Sequence, residues 1–251
     1  MENLERTKLV AHIENELERM VARGAHPQTG ILPSERKLAR SFGVARGTIR
    51  EALLRLSARG LIVRRQGTQA RAVTLDRAVT LENLGVVLHE LERGRSEQLH
   101  LLAGYFELKR ETTVELLVRG CEHASNEELA RVETACFELR EGARWDDGSH
   151  RWVEQEFELL RTAAMAAERP GHFLLVQSLE RAFWGMAEVV RPLLPSEAVR
   201  HWSERTQSWL FDRDGDALRR ELPPLLLACD AHVLGRLGPA SRADAVSHPT
   251  G

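Results

Sequence analysis

Four arginines stand four, five and four residues apart at Arg46, Arg50, Arg55 and Arg59. That spacing lines them along the outward face of a helix. A planar guanidinium with five donors can read a guanine edge or pair with a phosphate. Shortly after them come Gln66, Gly67 and Thr68, a small tip whose backbone can approach a polyanion closely. A second candidate chemistry lies far downstream. Glu154, Glu156 and Glu158 fall on one helical stretch, and Glu154 and Glu158 share a face, so paired-carboxylate acid–base work is conceivable. No nucleophile–base motif, phosphate loop or metal cluster accompanies them. The chain is therefore expected not to be an enzyme.

The elements that must position the arginines can be read around them. Residues 4–23 carry Leu9, Val10, Ile13, Leu17, Met20 and Val21 at helical spacing. The cluster from His26 to Gly30 ends that helix. Ser34 is a good N-cap for a helix running to about Phe42, with Gly43 as the turn. The arginine helix follows at about 46–59, its inner face made by Ile49, Leu53 and Leu56 and its end marked by Gly60. Residues 61–63 and 70–73 read as two strands joined by the Gln66–Gly67 tip. Helix, helix, turn, helix and hairpin make a winged helix-turn-helix, whose third helix fits the major groove.

Beyond this lie a linker at 74–80 and helices near 81–92, 97–120, 126–141, 149–168, 172–191, 196–212 and 215–237. The fold class is mainly α: an N-terminal winged helix-turn-helix (1–73) and a C-terminal antiparallel bundle of about seven helices (81–237). Pro223 and Pro224 must kink or split the last helix. Residues 238–251 are expected to be a disordered tail.

The net charge of -2 over 251 residues says little until it is divided. Residues 1–73 hold 14 Lys/Arg and 7 Asp/Glu, and residues 74–251 hold 21 and 30. A basic first third has an electrostatic reason to meet a polyanion, and the acidic remainder does not. Only Lys8, Lys37 and Lys109 are lysines, so the basic part is almost all arginine. The three cysteines, Cys121, Cys136 and Cys229, are widely spaced and fit a reduced cytoplasmic protein rather than a disulfide framework. No apolar run is long enough for a membrane span.

The stretch GILPSERKLARSFGVARGTIREALLRLSARGLIVRRQGTQARAV, residues 30–73, resembles the DNA-binding domain of the GntR family of bacterial transcription regulators. The match rests on L-P-S-E-R, then G-V-x-R-x-x-x-R-E-A-L-x-x-L, then G-L-I and a glycine-tipped wing. The helical part resembles the FadR-like subfamily with its FCD effector domain, through the run from Tyr105 to Arg110 and the run from Ala124 to Leu129. The resemblance implies a homodimer on a palindromic double-stranded DNA operator, with a small-molecule effector in the helical domain changing DNA affinity. A regulator without a ligand is the alternative. It implies that Arg36 reaches a phosphate or base, that Arg46 and Arg50 are the recognition-helix arginines, and that Thr48 lies at a nearby DNA-contacting position. It places Gln66 and Gly67 at a wing tip in the minor groove, and gives Glu51 an internal ion pair. Two positions depart from the family. Ala45 replaces a Ser or Thr cap, and Gly47 replaces a Thr that would add a contact.

Many FCD domains hold a divalent metal through one Asp and three His. The matching positions here are Glu154, Glu158, Arg205 and, after an insertion near the two prolines, His232. An arginine cannot ligate a cation, so no metal is expected. Glu158 and Arg205 are expected to pair in the effector pocket, or Arg205 to hold an anion. Arg110 joins the same candidate set. A small carboxylate or an acyl-CoA-type compound is the class of effector implied.

Overall fold

The computed structural model describes residues 2–22, 30–64, 69–73, 80–85 and 95–238. The chain divides into two compact units. One comprises Met1–Gly94 with Trp184–Met186, the other Arg95–Phe183 with Ala187–Gly251.

In the first unit, α1 spans Glu2–Ala22, α2 Glu35–Phe42 and α3 Arg46–Ala58. The Ser34 side chain caps α2 by accepting from the Lys37 N–H at 3.3 Å. Gly43 takes φ 65° beyond the last turn, a left-handed conformation that a side chain would strain. The α1 stripe of Val10, Ile13, Leu17 and Val21 packs on Leu38 of α2 and on Ile49, Leu53 and Leu56 of α3, all buried. Each such side chain contributes about 1.5–3 kcal/mol by leaving water, and together they fix the angle at which α3 is presented.

Strands β1 (Ile62–Val63) and β2 (Arg71–Ala72) pair antiparallel, Ile62 opposite Ala72 and Val63 opposite Arg71. The segment before α2 adds a third edge that the sequence reading did not include. Ile31 bridges Arg71, the Leu32 N–H donates to the Ala70 carbonyl at 2.8 Å, and the Ala72 N–H donates to the Gly30 carbonyl at 2.7 Å. The residues between the strands, including Gln66 and Gly67, lie outside the described part of the chain, as do most of the expected linker and all but one residue of the expected tail.

The second unit is all helical among its described residues. Its helices are α4 (Arg95–His123), α5 (Asn126–Arg144), α6 (Trp152–Ala166), α7 (Pro170–Val190, apart from the Trp184–Met186 stretch grouped with the first unit), α8 (Ser196–Phe211) and α9 (Gly215–Leu237). The helix expected at 81–92 is described only at its start, where Leu81–Asn83 form a 3₁₀ turn. Helix α4 packs on α6 and α9, α5 on α6 and α8, and α8 on α9. The Tyr105 hydroxyl ties α4 to α7 by donating to the Leu179 carbonyl at 2.9 Å. A capping box starts α5: the Ser125 side chain accepts from the Glu128 N–H, and the Glu128 carboxylate accepts from the Ser125 N–H.

Helix α9 corrects one expectation. Of the kink or split expected at Pro223 and Pro224, the split does not occur: the helix runs through both prolines as a single element. Each proline removes a donor to the carbonyl four residues earlier. Those carbonyls belong to Arg219 and Arg220, which are exposed, where water can replace the lost bond. No helix among the described residues is long and apolar enough to cross a membrane.

Candidate nucleic-acid interface and effector cavity

Helix α3 divides its arginines between two flanks. At 100° per residue, Arg50 lies about 40° from Arg46, whereas Arg55 lies about 180° away and Arg59 about 220° away. The buried Ile49, Ala52, Leu53 and Leu56 fill the arc between the two pairs. Arg46 is exposed, with Gly47 beside it and Thr48 half-buried. Arg50 is exposed too, and its guanidinium donates to the Glu35 carboxylate at 3.1 Å. The same carboxylate accepts from Arg64, beside β1, at 2.9 Å. Glu35 thus sets the directions of two arginines from the start of α2. Arg36, the next residue, is exposed.

Arg55 and Arg59 do not share the outward face expected for all four arginines. Arg55 pairs with Glu51 at 2.9 Å and with Glu14 at 3.6 Å. Arg59 pairs with Glu14 at 3.3 Å and Glu18 at 2.8 Å. It also donates to the Asn83 side chain at 3.2 Å, and the Asn83 amide donates back to the Arg59 carbonyl at 2.8 Å. Burial works against the Arg59 charge, but the two α1 glutamates hold its pKa above the usual arginine value. Glu14 and Glu18 of α1 lie toward this flank, so these two arginines anchor α3 to α1. The internal pair expected of Glu51 is the one with Arg55.

Ala45 occupies the N-cap of α3 and makes no side-chain cap bond. Its carbonyl accepts from the N–H groups of Thr48 and Ile49, so the helix starts there with its first N–H groups uncapped by any side chain.

The second unit holds a cleft walled by α4, α6, α8 and α9. The space comes to about 440 Å³ with its open mouth included, of which about 30 Å³ admits the centre of a water molecule. Phe106, Trp152 and Trp202 supply aromatic wall, and Lys109, Arg110, Glu156 and Asp230 supply charge. Lys109 Nζ lies 2.6 Å from Glu156 Oε1, and the Arg110 guanidinium donates to the Asp230 carboxylate. Burial pushes the Asp230 carboxyl up to about 6, with Lys109 and Arg110 opposing the shift. Cys229 also lines the cleft, and burial pushes its thiol up to about 12, so it is neutral and unreactive at physiological pH.

Of the five residues expected at the pocket, only Arg110 lines the cleft. Glu158 is exposed and pairs with Arg161 at 2.8 Å. Arg205 is exposed, pairs with Glu221 at 3.2 Å and lies over the Trp209 ring at 5.0 Å. The expected Glu158–Arg205 pair does not form. Glu154 and His232 are exposed and are not among the lining residues. The physical reason is helical phase. Glu156 is two residues from both Glu154 and Glu158, about 200° around α6, and it is Trp152 and Glu156, at i and i+4, that face the cleft. On α9 the inward residues are Leu226, Cys229, Asp230 and Val233, and His232 is exposed on the helix flank beside them.

Residues 9–71 match the family described as bacterial regulatory proteins, gntR family. Over 202 residues the chain is 30% identical to the HTH-type transcriptional repressor NanR of Klebsiella aerogenes, covering 79% of this chain and 72% of that one. The chain belongs to the gntR family of bacterial regulatory proteins. NanR of Salmonella newport is 29% identical over 245 residues, 93% of this chain and 89% of that one. The solved structure of Lar, which controls the Listeria monocytogenes agr system, superposes with a TM-score of 0.59 at 15% identity. It covers 91% of this chain and 97% of that chain, a likeness of fold.

Several residues that organise this gntR-family chain escaped the sequence reading. Glu35, Glu14 and Glu18 orient arginines, and their positions on α2 and α1 become informative only once those helices are packed. Glu156 and Lys109 carried a usable signal. Lys109 is one of three lysines, three residues after Phe106 on α4, and an acid in phase with Trp152 on α6 could have been sought as its partner.

Proposed function

We propose that the chain is a ligand-responsive transcription regulator that binds a palindromic operator as a homodimer. The observation that carries the reading is Arg46. It is exposed at the start of α3, on the flank away from the arginines that bind α1, and the buried core fixes that presentation. Arg46 would read a guanine through a bidentate contact. Gly47 would let the backbone approach, Thr48 and Arg50 would add contacts nearby, Arg36 would engage a phosphate, and Gln66 with Gly67 would enter the minor groove. Residues 1–73 act as the DNA-binding domain, 74–80 as the linker, 81–237 as the effector and dimerisation domain, and 238–251 as a tail. Such a regulator works beside the chromosome in the cytoplasm. The NanR relatives are named repressors, and repression is the mode proposed here.

The cleft supports a small carboxylate-bearing effector, because Lys109 and Arg110 are cations lining a partly enclosed space. Its small interior does not suit an acyl-CoA chain. The effector must bind two conformations unequally to shift DNA affinity. A second reading is favoured by one observation: both cations already have internal acid partners, as a regulator without any ligand would have.

The test is a titration of labelled DNA from the chromosomal region flanking the gene, followed by fluorescence anisotropy from 50 to 200 mM salt. A specific site bound by two chains is expected, with log K falling steeply and linearly against log salt, by about 0.9 per phosphate contact. Salt-independent binding, or one chain per site, overturns the reading.

A further inference from the structure

The charges of the cleft balance. Lys109 and Arg110 on α4 face Glu156 on α6 and Asp230 on α9, and each cation touches one acid. A ligand bearing only a carboxylate competes with Glu156 or Asp230 for a cation, and the displaced, largely buried acid loses its hydrogen-bonded partner and keeps only the charge of the other cation. A ligand bearing only an ammonium does the same to a cation. Either outcome is disfavoured, because an unpaired charge away from water is far less stable than a paired one. A ligand carrying both charges avoids the problem.

We propose that the cleft takes a free amino acid, its carboxylate on Arg110 and its ammonium on Asp230, in preference to a simple organic acid. This rests on the effector reading of the cleft and names the class of effector. The ligand inserts into the Arg110–Asp230 pair, and the result is an alternating row of guanidinium, carboxylate, ammonium and carboxylate. Arg110 presents a fork of donors that suits a carboxylate bidentately. Lys109 and Glu156 remain paired and hold the wall beside it. The side chain of the amino acid meets Phe106, Trp152 and Trp202. The tight interior favours a short side chain over a long one.

Thermal unfolding of the full-length protein at pH 7.5 with each of the twenty standard amino acids provides the screen, run beside acetate, propionate, lactate and succinate. Calorimetric titration then compares the best amino acid with its deaminated acid and its decarboxylated amine. One or a few amino acids are expected to raise the unfolding midpoint, with both truncated forms binding at least tenfold more weakly. A simple or deaminated acid that binds as tightly as the amino acid overturns the inference and leaves the cleft as an effector site. No stabilisation by any compound overturns both the inference and the effector reading.

Asp230→Asn is expected to weaken the amino acid tenfold and to close its advantage over the deaminated acid. An unchanged advantage overturns the ammonium contact. The wild-type protein gives the same test at pH 5, where Asp230, pushed up to about 6 by burial, is mostly protonated. There the advantage should shrink, and an undiminished one counts against the proposal.

Discussion

The two units use charge in opposite ways. In the first, arginines are sorted by flank. Arg55 and Arg59 are gathered by α1 acids and build the fold, while Arg46 and Arg36 are left exposed. In the second, the cleft cations Lys109 and Arg110 each hold an acid of their own. The first unit therefore keeps charge available for a polyanion, and the second keeps it in balance. A formal count of Lys and Arg does not separate these cases. What separates them is the helical phase of each residue relative to the acids on the neighbouring helix.

The largest effect is expected from unbalancing the cleft. Lys109→Met leaves Glu156, whose side chain is only 9% exposed, without its cation. Denaturant unfolding should show a loss of about 3–5 kcal/mol, and adding Glu156→Leu should recover much of it. Next is Arg59→Ala, which strips hydrogen bonds from Glu14, Glu18 and Asn83. A loss of about 1.5–3 kcal/mol in stability is expected, visible by the same measurement. Arg46→Ala should do the reverse. Stability is unchanged, and operator affinity measured by anisotropy falls by about 1–3 kcal/mol with relaxed specificity at one position. If Arg46→Ala destabilised the fold as much as Arg59→Ala, the sorting by flank would be wrong. Arg36→Ala should be gentler, lowering affinity evenly across sequences and reducing the salt slope by about 1.

The cleft also predicts a pH dependence. Asp230 holds its proton more tightly in the folded protein than in the unfolded chain, where its value is ordinary. The native state therefore binds more protons between about pH 4 and 6, and its contribution makes stability fall as pH rises through that window. Asp230→Asn should flatten that part of the stability curve, measured by thermal unfolding at stepped pH. A curve unchanged by the substitution would place the titration elsewhere.

Much of the first unit was legible from residues 30–73. Ser34, Gly43 and Gly60 mark local backbone events, and local events are written in short stretches of sequence. The Ile31–Arg71 bridge was not legible, because a single-residue pairing between distant segments leaves no periodic trace. The long helices of the second unit were readable from their apolar period and their turn residues. The cleft was not. Matching Glu154 and Glu158 to a family pattern puts the acids out of phase with the interior, whereas the phase of the inward face is carried by Trp152, four residues before Glu156. Arg205 matches the family pattern by its place along the chain, which carries no information about the direction of a side chain.

At the start of α3 the missing side-chain bond leaves a place for a different acceptor. Off DNA the turn is already formed, held by the Thr48 and Ile49 N–H bonds to the Ala45 carbonyl and by the buried Ile49 behind it. Ala45, Arg46 and Gly47 are exposed, and the Ala45 side chain accepts nothing from the first N–H groups. A DNA phosphate can accept there, in the place of the cap that Ala45 lacks. Ala45→Ser would fill that place from within the chain, worth about 0.5–1 kcal/mol to the helix, and denaturant unfolding should show the gain.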